Sequence, residues 1–193
     1  MKNTSEIVAA IVAAVVGQGG KAEDVDLIAE DDDLCQRVAA AVVEYAKNIF
    51  HLVVDYTLSL SDLIALGGFD WVNPDITAEH FSAKGKGKQK VKVELWHPNK
   101  YFSNGDEVIA ELKTAKPGYR FATLWELLTL AIAQPDLQRQ FPIAALGSIW
   151  LLAAGARLFV YLYRNDFERR LDLSRLEVDF DDSWRFAVVR EQS

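Results

Sequence analysis

Phe141-Pro-Ile-Ala-Ala-Leu-Gly-Ser-Ile-Trp-Leu-Leu-Ala-Ala-Gly-Ala-Arg-Leu-Phe-Val-Tyr-Leu-Tyr163 is the stretch whose reading decides the fold. Arg157 is its only charge, and it is long enough to cross a bilayer as one helix. Pro142, Gly147 and Gly155 interrupt it, however, and aromatic and β-branched residues dominate on either side of the small-residue turn 153–156. Two buried strands, 145–152 and 157–163, closed as a hairpin account for that pattern better than a membrane span. More strand texture follows at 169–174 and 184–190, so the C-terminal half reads as an antiparallel sheet.

Upstream of the hairpin the texture is helical. Thr123 followed by Glu126 is a capping-box pattern opening a helix over 124–133. Residues 106–116 form another, with Val108, Ile109 and Leu112 inward and Pro117-Gly118 ending it. Before these lies a strand at 91–97, with Val91, Val93 and Leu95 on one face and Lys92, Glu94 and Trp96 on the other. A run of five alternating lysines, Lys84, Lys86, Lys88, Lys90 and Lys92, leads into it. That run reads either as a phosphate-binding strip or as a turn into a strand whose lysine face discourages edge pairing; no stacking aromatics interleave it. From residue 90 the order is thus strand, two helices, then antiparallel strands, which defines an α+β fold.

Further upstream, a strand at 52–57 precedes a helix capped by Ser59 or Ser61 and ended by Gly67-Gly68. The aromatic-rich loop 69–81 is expected to pack on the body. Residues 1–50 read as a helical segment separate from a domain over 52–193. Asn3 and Glu6 form a capping box, and Ile7, Val8, Ile11, Val12 and Val15 fall on one face of a helix expected to pack on the core. Glu6 in the leader argues against a secretion signal at 7–16. The acidic run 30–33 opens a second helix, whose stripe is Leu34, Val38, Val42, Tyr45 and Ile49.

The 193 residues carry a formal net charge of −7, which disfavours general binding to nucleic acid or anionic lipid. One cysteine, Cys35, excludes an internal disulfide and fits a cytoplasmic protein; on its helix it reads as a buried thiol. The histidines, His51, His80 and His97, lack metal-ligand spacing, so neither a metal nor a cofactor is expected. No nucleophile elbow, phosphate-cradling glycine loop or dinucleotide fingerprint occurs.

Four segments, 69–81, 120–128, 138–148 and 184–190, resemble a family of small uncharacterised proteins from uncultured bacteria. A weaker resemblance concerns function. Arg120-Xaa-Xaa-Thr123 opening a helix with an acid, then antiparallel strands, then the closing strand Trp184-Arg-Phe186, is similar to the C-type-lectin-like fold. That includes the variable proteins of diversity-generating retroelements, which display interchangeable residues on a fixed scaffold. The oxidase branch of that fold uses a cysteine pair and the iron branch a histidine set, and both are missing here. Gln134-Pro-Asp136 follows a helix directly, unlike the calcium loop of sugar-binding lectins.

The resemblance implies a non-catalytic display module that binds a protein or other macromolecule. Its candidate ligand-binding residues are Tyr163, Asn165, Asp166, Arg170, Asp172 and Ser174, with Asp179, Asp181 and Asp182 in an adjoining turn. Leu171 and Leu173 should point inward and Arg170, Asp172 and Ser174 outward. Exchanging Asn165, Asp172 or Ser174 for alanine should then cost little stability. Two alternatives stand beside this reading. One is an enzyme using Asp179, Asp181, Asp182 and Arg185 in a pocket, where a carboxylate would have a shifted pKa. The other is an adaptor docking partners through its N-terminal helices. If 141–163 is a hairpin, the protein should be recovered in the soluble fraction without detergent; a requirement for detergent would restore the membrane reading.

Overall fold

A computed structural model of the chain describes residues 3–191, the side chain of Glu44 excepted. The chain divides into two units, Met1–Lys47 and Asn48–Ser193.

The first unit is helical. Its opening helix α1 (Thr4–Gly17) is capped by Asn3, whose side chain accepts from the Glu6 N–H at 2.9 Å while Glu6 accepts from the Asn3 N–H at 2.9 Å. None of its residues is buried. Its alanines and valines encircle the axis, so it has no polar face to turn outward. A 3₁₀ turn (Ala22–Val25) and the short α2 (Leu27–Glu30) lead to α3 (Asp32–Lys47). Asp31 opens α3 by accepting from the Leu34 N–H at 3.0 Å. Cys35 is exposed, not buried as its helix setting suggested. Helix ends at Lys47 because Ile49, Phe50, Val53 and Val54 belong to a strand, not to the helical stripe.

Among the described residues the second unit holds all the strands: β1 (Ile49–Asp55), β2 (Trp71–Val72), β3 (Lys88–Trp96), β4 (Tyr119–Phe121), β5 (Ile143–Leu151), β6 (Arg157–Asn165), β7 (Glu168–Arg175) and β8 (Arg185–Arg190). They make one sheet in the order β1-β3-β8-β5-β6-β7-β2, with β4 also paired to β8. The β5–β8 and β2–β7 pairs are parallel and the others antiparallel. The helices are α4 (Leu60–Gly67), α5 (Gly105–Ala115) and α6 (Leu124–Ala133), followed by a 3₁₀ turn (Leu137–Arg139). The protein is therefore mixed α+β. Among the described residues no helix is long and apolar enough to cross a membrane.

Both faces of the central strands are covered, which is why residues 186–189 are all buried. One core joins Leu52, Val54, Val93, Leu162 and Leu171 to Leu60 and Leu63 of α4 and Leu124, Leu127 and Leu128 of α6. The other joins Trp96, Phe159, Phe186 and Val188 to Val108 and Leu112 of α5, with Leu176 and Phe180. This second core buries Glu94 and Trp96, which the alternation of β3 had placed outside; Glu94 is paired there with Lys116. The lysine strand has β1 beside it over 88–94 on one side, while on the other side β8 pairs with it only over 93–96.

Two sequence motifs lock together at the head of α6. Gly147 sits in a bulge of β5, and a Cβ there would lie 2.5 Å from the Phe121 and Ala122 carbonyl oxygens. Ser148 then accepts from the Leu124 N–H at 3.0 Å. Thr123 caps the helix, and Glu126 accepts from the Thr123 N–H at 2.7 Å. The Glu126 carboxylate is fully buried. It also takes two bonds from Arg120, at 2.7 and 2.8 Å, and one from the Tyr56 hydroxyl at 2.9 Å. Burial works to raise its pKa, but the Arg120 bonds and the Thr123 N–H outweigh it and hold the carboxyl below its ordinary value. The same burial and the Glu126 charge push the Tyr56 phenol up to about 12.

Glu126→Ala should cost about 3–5 kcal/mol in denaturant unfolding, because Arg120 is left with a half-buried, uncompensated charge. A depressed carboxylate stabilises the fold above its unfolded pKa and loses that contribution as pH falls through the native value. Wild-type stability should therefore drop on acidification below the ordinary glutamate range, and Glu126→Gln should flatten that drop.

Candidate functional site

The outer face of the β6–β7 hairpin carries the cluster. Antiparallel register sets Tyr163 opposite Arg170, Tyr161 opposite Asp172 and Phe159 opposite Ser174. Directly opposed residues share a face, so these six lie on the side away from Val160, Leu162 and Leu171 of the first core; at one end Phe159 is fully buried in the second core with Tyr161 packed against it, and Tyr163 and Arg170 lie at the other end. Tyr161 and Tyr163 stack with ring centroids 5.0 Å apart, and Trp184 lies 5.4 Å from Tyr161. Burial, then the charge of Asp172, pushes the Tyr161 phenol well above its ordinary pKa. Arg170 bonds Glu168 at 2.6 Å and lies 5.2 Å over the Trp71 ring.

Asp172 is not a solvent-facing side chain. It is half-buried and accepts from the Asn73 amide at 2.7 Å and from the Leu173 N–H at 2.7 Å. The Tyr161 and Tyr163 hydroxyls each stand 3.5 Å from its other oxygen. This corrects the expectation that its removal is neutral. Ser174 is half-buried too, but its hydroxyl makes no side-chain hydrogen bond among the described residues. Asn165 and Asp166 sit exposed at the tip of the hairpin, Asp166 with a φ of 52° that aspartate tolerates better than most residues. Phe167 beside them is 90% exposed.

The backbone below this face is pinned by residues that do not belong to it. The buried Gln138 amide donates to the Tyr163 carbonyl at 2.8 Å and the Arg170 carbonyl at 3.0 Å, clamping β6 to β7. The buried Arg169 guanidinium reaches the carbonyls of Gly67 at 2.8 Å and Gly68 at 3.1 Å, at the end of α4, and Ala131 at 3.3 Å in the last turn of α6. Those carbonyls are the negative ends of two helices, where a cation is stabilised. Desolvation lowers the Arg169 pKa from its ordinary value.

Asp179, Asp181 and Asp182 lie apart from the cluster, on the loop between β7 and β8, and all three are exposed. Asp181 is occupied in a turn, accepting from the Ser183 N–H at 2.9 Å and hydroxyl at 2.5 Å. Arg185 bonds the Ser183 carbonyl at 2.9 Å and stacks over Phe141 at 4.7 Å. The loop buries Phe180 and half-buries Trp184, so its acids flank an aromatic anchor. Among the described residues no group of three or more histidine, cysteine or acidic side chains could hold a metal.

The structure thus gathers Tyr163, Arg170 and Asp172, sets Ser174 farther along the same face and Asn165 and Asp166 at its tip, and leaves the three loop acids elsewhere. It adds Tyr161, Trp71, Asn73 and Trp184. Tyr161 was legible from the Tyr-Xaa-Tyr alternation of β6. Trp71 and Asn73 reach the face through the parallel pairing of β2 with β7, which no local pattern signals. Beside the face opens a pocket of about 360 Å³ lined by Phe141, Tyr161, Tyr163, Arg164 and Trp184. Aromatic rings, one carboxylate and one guanidinium can stack on and hydrogen-bond a ligand; the cluster holds no nucleophile paired with a base.

No family model matches the chain, and no curated protein or solved structure is significantly similar to it.

Stability should separate by position across this face. Asn165→Ala and Ser174→Ala should stay within about ±0.5 kcal/mol. Asp172→Ala should lose about 1–3 kcal/mol by stranding the Asn73 amide, and Phe186→Ala about 3–5 kcal/mol by opening a cavity. Thermal melts of the four single variants give the order; equal losses at Ser174 and Phe186 would contradict it.

Proposed function

We propose that the protein is a non-catalytic ligand-binding module that presents the outer face of the β6–β7 hairpin to a macromolecular partner on a C-type-lectin-like frame. The observation that carries this reading is the division of labour in the hairpin. Inward residues and the clamps Gln138 and Arg169 hold its backbone, while Tyr163, Asn165, Asp166, Arg170 and Ser174 contribute no buried contact to the cores. Such a face can change its side chains without changing its frame. Tyrosine, tryptophan and arginine dominate binding hot spots, and serine and asparagine adapt to varied partners.

The order β3, α5, α6, antiparallel strands, then β8 returning beside β3, supports the C-type-lectin-like frame. A diversified variable protein is the specific form of the proposal. In that case the native gene should lie near a reverse transcriptase and a near-repeat of the segment coding for the hairpin and β8.

A second reading, an adaptor, has its own observation. None of the stripe residues Leu34, Val38, Val42 and Tyr45 is buried, and neither is any residue of α1. An enzyme using Asp179, Asp181 and Asp182 has no such support, since all three are exposed and Asp181 is held in a turn.

A surface-displayed library randomised at Tyr163, Asn165, Arg170 and Ser174 tests the display reading. Most members should melt within about 4 °C of the parent. Selection on a purified protein target should give binders whose affinity falls when the parental residues are restored. General loss of folding, or binders indifferent to these positions, would overturn it.

A further inference from the structure

A basic cleft lies where the sheet splays at the end of β8. β8 pairs with β3 only over 93–96, so among the described residues the β8-side edge of 88–91 has no strand beside it. The opening has a volume of about 610 Å³, within the roughly 300–1,000 Å³ typical of small-molecule sites. His51, Lys90, Lys92, Arg120 and Arg190 line it, and among the described residues Glu191 is its only acid.

Among the described lining residues two lysines and two arginines face one carboxylate, in a chain of net charge −7. Arg120 is neutralised by Glu126, but Lys90, Lys92 and Arg190 make no side-chain hydrogen bond or ion pair among the described residues. The pairing of Val93 with Val189 brings Lys92 and Arg190 to adjacent positions on neighbouring strands, and His51 stands opposite Lys92 on β1. Like charges side by side across strands cost stability. That cost is offset when an anion sits between them.

Two of the other lysines in the run are engaged elsewhere. Lys84 donates to the Gly147 carbonyl at 2.6 Å, and Lys88 pairs with Asp55 at 3.4 Å. Lys86 is exposed and lies outside the cleft, which leaves Lys90 and Lys92 as the lysines of the run that line it.

We propose that this cleft binds a small phosphate-bearing anion, with Lys90, Lys92 and Arg190 contacting the phosphates and the unpaired edge of β3 offering backbone donors. The site is separate from the β6–β7 face and does not rest on the display reading. A single-stranded nucleic acid is the weaker candidate. Among the described residues no phenylalanine, tyrosine or tryptophan lines the cleft, whereas single-strand grooves stack successive bases on several.

Isothermal titration of the full chain with inorganic tripolyphosphate at about 50 mM salt tests the proposal. Saturable binding with a Kd below about 1 mM is expected, weakening as salt screens the charges. The double substitution Lys90→Ala/Lys92→Ala, both at exposed positions, should weaken it about tenfold or more, and so should Arg190→Ala. Lys113→Ala, an exposed lysine outside the cleft, should leave it unchanged, and matching melting curves would show that the variants fold. No saturable binding to the wild type, or equal binding by wild type and cleft variants, overturns the proposal. Tighter binding of oligo(dT) than of tripolyphosphate at equal salt, lost in the same variants, overturns it in favour of a nucleic-acid backbone.

Discussion

One buried carboxylate ties the second unit together. Glu126 receives the end of β1 through Tyr56, the strand β4 through Arg120, and the start of its own helix through the Thr123 N–H. A charge with no solvent exposure is stable only when its oxygens are satisfied, and here they receive four donors from three elements. The position of α6 on the sheet follows from it, and α6 supplies much of the first core. The bulge of β5 at Gly147 is shaped to the same corner, because any side chain there would collide with the carbonyls that precede the helix.

Beyond that corner the hairpin is held through its main chain. Gln138 and Arg169 bind main-chain carbonyls, so the hairpin backbone is fixed by interactions indifferent to the side chains on its outer face. Asp172 is the exception. It sits among the outward residues yet is bound to Asn73, which makes it part of the frame. Phe159, on the same side of the hairpin, is likewise part of the frame, since it is fully buried in the second core.

Much of the frame could be read in the sequence because its signals are local. The capping boxes at Asn3 and Thr123, the cap at Ser59, the small-residue turn at Gly155 and the alternation of β7 each depend on a few neighbouring residues. What was not legible depends on distant pairing. The two-sided burial of β3 needs α5 to cover Trp96, and the role of Asp172 needs β2 to arrive beside β7 with Asn73. The beginning of β1 was hidden because Ile49 fits the helical stripe of α3 as well as a strand, and only the ladder with β3 decides between them. The three loop acids looked like a constellation in one dimension, but Phe180 and Trp184 between and after them point the other way and hold the loop flat against the core.

The place of β8 in the sheet has a consequence for how the chain can fold. β8 joins β3 on one side to β5 on the other, so without it the strands form two separate ribbons, β1-β3 and β5-β6-β7-β2. Both ribbons leave the ribosome before residue 185, each with apolar residues waiting for a neighbour that has not been made. The sheet closes as one late event, with contacts between residues 90 positions apart in sequence at Trp96 and Phe186 and up to 96 apart at Val93 and Val189. Non-local closure of this kind is slow, so a nascent or truncated chain would expose the inner edges of β3 and β5 and would need protection from association until that last strand arrives.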